Sequence, residues 1–200
     1  MMTLRVGPEL QKAVSLAMRA EVPVLLVGGT GIGKTESLEQ AANALGMEYR
    51  VRDLSLMEAP DLAGLPVPRN GRMHYLPPAF LPRRKKGPGG LLVFEELNRA
   101  PREVRVPCLQ LLTARCLNDY ILPPNWRLAA AVNPYGGDYD VDVLDPATEA
   151  RFAILNVVAD VHNWLQWAEG HSIHEAVRRV TLHPSATDFI GSGGSWPLVR

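Results

Sequence analysis

Eight consecutive residues, Gly28-Gly29-Thr30-Gly31-Ile32-Gly33-Lys34-Thr35, carry the clearest chemistry in the chain. Glycines at this spacing let a loop wrap until successive backbone N–H groups face one anion, and a helix starting at its end adds partial positive charge. A polyphosphate fits such a loop, with Lys34 bridging the β- and γ-phosphates and Thr35 holding Mg²⁺. The nucleotide-binding set is therefore Gly28, Gly29, Thr30, Gly31, Ile32, Gly33, Lys34, Thr35 and Glu36. A glycine-rich turn with an incidental lysine is the bland alternative. Context decides against it, because an apolar run precedes the eight residues and a helical pattern follows them.

A second apolar run, Leu91-Leu92-Val93-Phe94, ends in the carboxylates Glu95 and Glu96. Parallel sheets place ligands at strand ends, and two acids there can share the work of a metal shell and a general base. Glu95 is assigned to the metal side and Glu96 to the water. A third apolar run, residues 128–132, ends in Asn133-Pro134, which sets an uncharged amide where it can orient that water. Arg151, between Asp145-Pro146-Ala147 and Phe152, supplies a guanidinium able to stabilise charge on a transferred phosphoryl group. Taken alone, Glu95-Glu96 is a strand finishing in solvent, Asn-Pro a turn, and Arg151 a surface ion pair. The phosphate loop upstream makes them a set.

These residues need a scaffold, and hydrophobic periodicity outlines one. Pro8 opens a helical pattern through Leu10, Ala13, Val14, Ala17 and Met18. Apolar runs at residues 22–27, 49–54, 91–94, 128–132 and 154–158 read as strands, with helical stretches at 34–45, 102–112 and 145–150 between them. Gly46 is placed to end the second helix. Strands alternating with helices imply a parallel sheet in an α/β fold. Residues 59–90, rich in Pro and Gly, read as a hairpin with a polar turn at 69–72 followed by a loop. Pro107 should kink its helix by removing a backbone hydrogen bond. After Asp160 the pattern is helical again and ends in the flexible stretch 191–195.

Composition narrows the class. The 200 residues hold 21 basic and 21 acidic side chains, so bulk charge gives no reason to expect nucleic acid. Cys108 and Cys116, in what reads as one helical segment that runs on from the stretch at 102–112, are too far apart along it to bridge easily and read as free thiols of a reducing compartment. No apolar run nears the roughly 20 residues that span a bilayer, and the first residues do not resemble a leader, so a cytoplasmic protein is expected. The basic run Arg83-Arg84-Lys85-Lys86 reads as a solvated loop, and Trp164 with Trp167 as core packing. His171, His174 and Glu175 lack the spacing of a zinc site. Neither a Ser-His-Asp arrangement nor a dinucleotide fingerprint occurs.

The four elements in this order resemble the AAA+ ATPases, and their wording is similar to the MoxR branch that works beside von Willebrand factor A domain proteins. GGTGIGKT from Gly28 matches Walker A, LLVFEELNRAP from Leu91 Walker B, AAAVNP from Ala129 sensor 1, and DPATEARF from Asp145 the arginine finger. DLAGLPV from Asp61 and YLPPAFLP from Tyr75 resemble the inserted hairpin of that branch, and NWLQWAEGHSIHEAV from Asn163 its lid. The resemblance implies a P-loop NTPase three-layer sandwich with a five-stranded parallel sheet and a small C-terminal helical lid. On that basis residues 1–158 are the nucleotide-binding core, 59–90 its hairpin insert, and 159–200 a partial lid. It also implies ATP and Mg²⁺ as cofactors and a homo-oligomeric ring, usually hexameric, with Arg151 reaching the neighbour's nucleotide.

Two departures bear on rate. Walker B ordinarily reads Asp-Glu, whereas Glu95 is one methylene longer and crowds a magnesium shell that tolerates little distortion. Sensor 2 falls to Arg200. The reading that follows is Mg-dependent ATP hydrolysis driving remodelling or maturation of a partner protein. A nucleic-acid-remodelling motor, or a nucleotide-binding switch with little turnover, is the alternative.

Overall fold

In the computed structural model, residues 3–83, 87–135, 142, 144, 149–175, 177 and 178 are described. Six strands form one sheet: β1 (Thr3–Arg5), β2 (Val24–Val27), β3 (Glu48–Asp53), β6 (Gly90–Glu95), β9 (Trp126–Val132) and β10 (Ala153–Val158). Their spatial order is β1-β10-β2-β9-β6-β3, and every pairing is parallel. The five expected strands are all present. The sixth, β1, escaped the sequence reading because it has three residues, of which Leu4 alone is buried. The strand expected from residue 22 starts at Val24: Pro23 has no N–H, and Val22 N–H donates to Ala17 O at 3.1 Å instead.

The sheet separates two apolar layers by the alternation of side chains along each strand. Val24, Leu26, Leu91, Val93 and Ala129 face one way, onto α1 (Pro8–Arg19) and α2 (Lys34–Ala44) through Leu10, Val14, Met18, Leu38 and Ala42. Leu25, Leu92, Phe94, Leu128, Ala130 and Val132 face the other, onto α4 (Arg102–Ala114) through Val104, Cys108, Leu111 and Leu112. Continuous apolar runs were the signal for strands covered on both faces, and this is the three-layer sandwich they require. Gly46, at φ 64°, ends α2 as expected.

α4 continues through Pro107 to Ala114. Cys108 is buried in it, but Cys116 is not helical. Arg115 turns left-handed at φ 57°, and Cys116 opens a small antiparallel hairpin of β7 (Cys116–Leu117) and β8 (Tyr120–Ile121). The insert holds α3 (Ala59–Ala63) and an antiparallel hairpin of β4 (Leu65–Arg69) and β5 (Arg72–Leu76), turned by Asn70 and Gly71 at φ 51° and 70°. A primed turn of this kind matches the twist of two strands, which fixes the register Arg69↔Arg72. The two hairpins meet at Asp119, whose Oδ2 accepts from Tyr75 N–H at 2.7 Å and lies 3.5 Å from His74 Nδ1.

Beyond β10, Asp160 caps α5 (Val161–Gly170): its carboxylate accepts from Asn163 N–H at 2.8 Å and pairs with Arg5 at 3.0 Å. Trp164 and Trp167 are half-buried, not core residues, and Trp167 stacks on His171 with ring centroids 4.3 Å apart. Arg84, Lys85 and Lys86 of the basic run, Asp145 to Ala147, most of the proposed lid from residue 179 onward, and Arg200 lie outside the described residues. Among the described residues no helix is long and apolar enough to cross a membrane, and no three His, Cys, Asp or Glu gather as a metal site.

Candidate active site

Strand register brings the chemistry together. β2 and β9 pair with Val27 opposite Val132, so Gly28 and Asn133, the next residue on each strand, leave the sheet side by side. Gly28 N–H donates to Val132 O at 3.2 Å. β6 pairs with β9 with Phe94 opposite Ala130, which sets Glu96 at the level of Val132. β3 pairs with β6 with Asp53 opposite Glu95. All four positions are at the C-terminal edge of the sheet, where an open parallel sheet binds its ligands.

Two glycines of the loop are required by geometry. A Cβ on Gly28 would sit 2.6 Å from the carbonyl oxygen of Val157, so the loop leaves β2 with no room for a side chain. Gly33, at φ 94°, turns the loop into α2, and its carbonyl accepts both N–H and Oγ–H of Ser37 at 3.0 and 2.8 Å. The first-turn amides of α2 thereby face the loop, and the helix points its positive end there.

Lys34 donates to the carbonyls of Gly28 and Gly29 at 2.7 and 2.8 Å and to Asn133 Oδ1 at 3.2 Å. Thr30 Oγ1 shares that amide oxygen at 3.3 Å. The other end of the amide, Asn133 Nδ2, donates to both carboxylate oxygens of Glu96, at 3.1 and 3.0 Å. Asn133 is 2% exposed, so one buried amide links the lysine of the phosphate loop to the carboxylate after β6. Glu96 has left-handed backbone, φ 54°, a conformation costing about 1 kcal/mol or more for a residue with a side chain. The turn that holds it is closed by Arg99 N–H on Glu96 O at 2.9 Å.

Thr35 Oγ1 hydrogen-bonds directly to Glu95 Oε1. Burial pushes the Glu95 carboxyl above the ordinary carboxylate range, and Asp53 and Glu96 add to the shift against the opposing charge of Lys34. Burial likewise lowers Lys34, with Glu96 and Glu95 opposing. A hydroxyl and mutually repelling carboxylates favour a hard divalent cation, so the donor set fits Mg²⁺.

Arg151 is not part of this cluster. It is exposed, two residues before Ala153, whose N–H bonds Pro23 O at 2.8 Å just ahead of β2. Arg151 thus lies at the N-terminal edge of the sheet, about 13 Å of strand away from the loop that ends β2. Glu36 lies in the first turn of α2 and accepts from Gln40 at 2.9 Å. Two site residues were missed from sequence. Tyr49 OH donates to Thr35 O at 3.4 Å. Asn98, buried in the turn after Glu96, donates from Nδ2 to Asn133 O at 2.9 Å. The signal for Asn98 was a short amide side chain two residues after Glu96, with apolar Leu97 before it and Ala100 after Arg99.

A phosphate loop after β2, two carboxylates at the end of β6 and an amide at the end of β9, the strand between them, define an ATPase domain. The chain belongs to the family described as AAA domain, dynein-related subfamily, which it matches over residues 23–152. Over 60 residues it is 47% identical to midasin of Giardia intestinalis, a stretch covering 30% of this chain and 1% of midasin. Two solved structures share the fold. One is a Cytophaga hutchinsonii protein described as a candidate ATPase, with TM-score 0.61 and 17% identity over 84% of this chain and 51% of that one. The other is a RuvB variant of Thermotoga maritima, with TM-score 0.53 and 22% identity over 79% of this chain and 47% of that one. The chain therefore spans about half the length of those two structures.

Proposed function

We propose that this domain hydrolyses ATP with Mg²⁺ inside a ring of like subunits and uses the turnover to remodel a partner protein. The observation that carries the reading is the amide of Asn133, bonded at one end to Lys34 and at the other to Glu96. In this reading the loop amides and Lys34 bind the phosphates. Glu96 takes the proton of the attacking water, and Asn133 holds that carboxylate in register with the lysine. Thr35 and Glu95 would hold Mg²⁺, which neutralises phosphate charge when bound. Glu95 is one methylene longer than the aspartate usual at this position and crowds a magnesium shell that tolerates little distortion, which favours slow turnover.

Arg151, on the far edge of the sheet from its own phosphate loop, acts in this scheme on the nucleotide of the neighbouring subunit. A guanidinium supplied in that way stabilises charge at the transferred phosphoryl group. The β4–β5 hairpin carries exposed Leu65, Val67, Met73, Tyr75 and Leu76 and faces the client. The client class is a protein, in the manner of the MoxR branch with its von Willebrand factor A domain partners, in a cytoplasmic setting.

The test is Mg-dependent ATP hydrolysis measured against protein concentration, with Lys34→Ala as control. Specific activity that rises with concentration and disappears in the control supports a shared active site. Binding of ATP without turnover at every concentration sinks the ATPase reading in favour of a nucleotide switch.

A further inference from the structure

Asn98 is 4% exposed, and the nearby Leu97 and Ala100 belong to the apolar layer on the α4 side, while Arg99 between Asn98 and Ala100 is exposed. Its Nδ2 donates to Asn133 O at 2.9 Å, while its Oδ1 is buried with no hydrogen-bond partner among the described residues. A buried acceptor left unpaired costs free energy that a leucine of similar volume would not. Packing alone therefore does not explain an asparagine here. Its position does. Asn133 lies one residue past the last rung of β9, and Pro134 after it has no N–H, so the sheet ladder stops short of the peptide that aims the Asn133 side chain. The side chain of Asn98 bonds that peptide directly.

The clamp and the carboxylate also share one turn. Asn98 follows Glu96 by two residues, and Arg99 N–H closes the turn on Glu96 O. The backbone carbonyl of Asn98 accepts from Asp142 N–H at 3.0 Å, and Asp142 pairs with Arg105 of α4 at 2.6 Å. Three chain segments thus converge on one buried amide.

We infer that Asn98 is a positioning residue for ATP hydrolysis: by holding the Asn133 carbonyl it aims the Asn133 amide at the Glu96 carboxylate. The inference rests on the ATPase reading above. Asn98→Leu fills the same space and removes the unpaired acceptor, and Asn98→Asp keeps the shape but loses the donor. Both are expected to lower kcat about 10- to 100-fold, the range for removing an outer partner of a functional side chain. The nucleotide Kd should stay within about threefold, since Asn98 touches no loop residue that would meet phosphate. Asn98→Leu is expected to melt no lower than the unmodified protein, which a purely structural asparagine would not permit.

The deciding measurement is a double-mutant cycle with Asn133→Ala. With no amide left to aim, Asn98→Leu should cost nothing further. Losses that multiply across the two sites, or an Asn98→Leu kcat within twofold of the unmodified protein, overturn the inference while leaving the ATPase reading intact. Absence of turnover that depends on Glu96 in the unmodified protein overturns both.

Discussion

Replacement of Asn133 by alanine separates binding from chemistry at this site. Lys34 loses its amide acceptor but keeps the carbonyls of Gly28 and Gly29, so the phosphate loop retains its lysine. Glu96 loses both hydrogen bonds from Asn133 Nδ2 to its carboxylate and keeps the Arg99 guanidinium at 3.7 Å. A hydrogen bond to a charged group is worth roughly 1.5 to 3 kcal/mol. If that is the orientation free energy withdrawn from the transition state, kcat falls about 10- to 150-fold, at 1.36 kcal/mol per decade. The Kd for a fluorescent ATP analogue should change by less than about threefold, because the loop amides are untouched. Removing a buried amide should also lower stability by about 1 to 3 kcal/mol, a fall in Tm of roughly 2 to 12 °C for a chain of this size. Steady-state turnover under saturating ATP, equilibrium nucleotide binding and a thermal melt read the three quantities separately. A folded variant that keeps kcat within about threefold would show that Glu96 is oriented without the amide, and the reasoning from the Lys34–Asn133–Glu96 chain would be wrong.

Three further outcomes are expected. Glu96→Gln should bind ATP with near-normal affinity and turn it over about 10² to 10⁴ times more slowly, with unhydrolysed ATP recovered from the isolated protein. Arg151→Ala should lose roughly 10³- to 10⁵-fold in rate. Mixing it with Lys34→Ala chains should restore part of the activity, because a ring joins the intact loop of one chain to the intact arginine of the other; an inactive mixture would place Arg151 outside the shared site. The third concerns pH. Since burial, Asp53 and Glu96 raise the Glu95 carboxyl above its ordinary value, the folded protein keeps that proton where the unfolded chain has lost it. Its stabilising contribution is complete below the ordinary carboxylate value and is lost as pH rises through the raised one. Glu95→Gln without nucleotide or metal should therefore melt above the unmodified protein near neutral pH, with the difference closing toward acid. A difference independent of pH would remove Glu95 as its cause.

The contiguous pieces of this molecule were legible because their chemistry and their geometry coincide locally. A loop whose glycines precede a helix start is already a phosphate cradle in sequence, and the apolar runs at residues 22–27, 91–94 and 128–132 fit strands covered on both faces, which the structure has as Val24–Val27, Gly90–Glu95 and Trp126–Val132. What was not legible depends on relations between segments. β1 is one buried leucine between two exposed residues, and β7 and β8 have two residues each, so neither leaves a periodic trace. That Glu96 sits level with Val132, one residue short of Asn133, follows from Phe94 pairing with Ala130, a register that no stretch of either strand announces. Asn98 is the sharper case. Its side chain matters because Pro134 cannot extend the ladder and the turn after β6 folds back beneath β9, two facts that belong to different parts of the chain. The left-handed backbone of Glu96 belongs with it, since a strained residue persists only where its surroundings hold it. The amide of Asn133 and the turn closed by Arg99 are those surroundings. The strain, the buried unpaired oxygen of Asn98 and the shared amide of Asn133 thus occupy one turn and the strand end beside it. A site that only bound nucleotide would have use for the loop and the lysine, but none for this second arrangement on the carboxylate side.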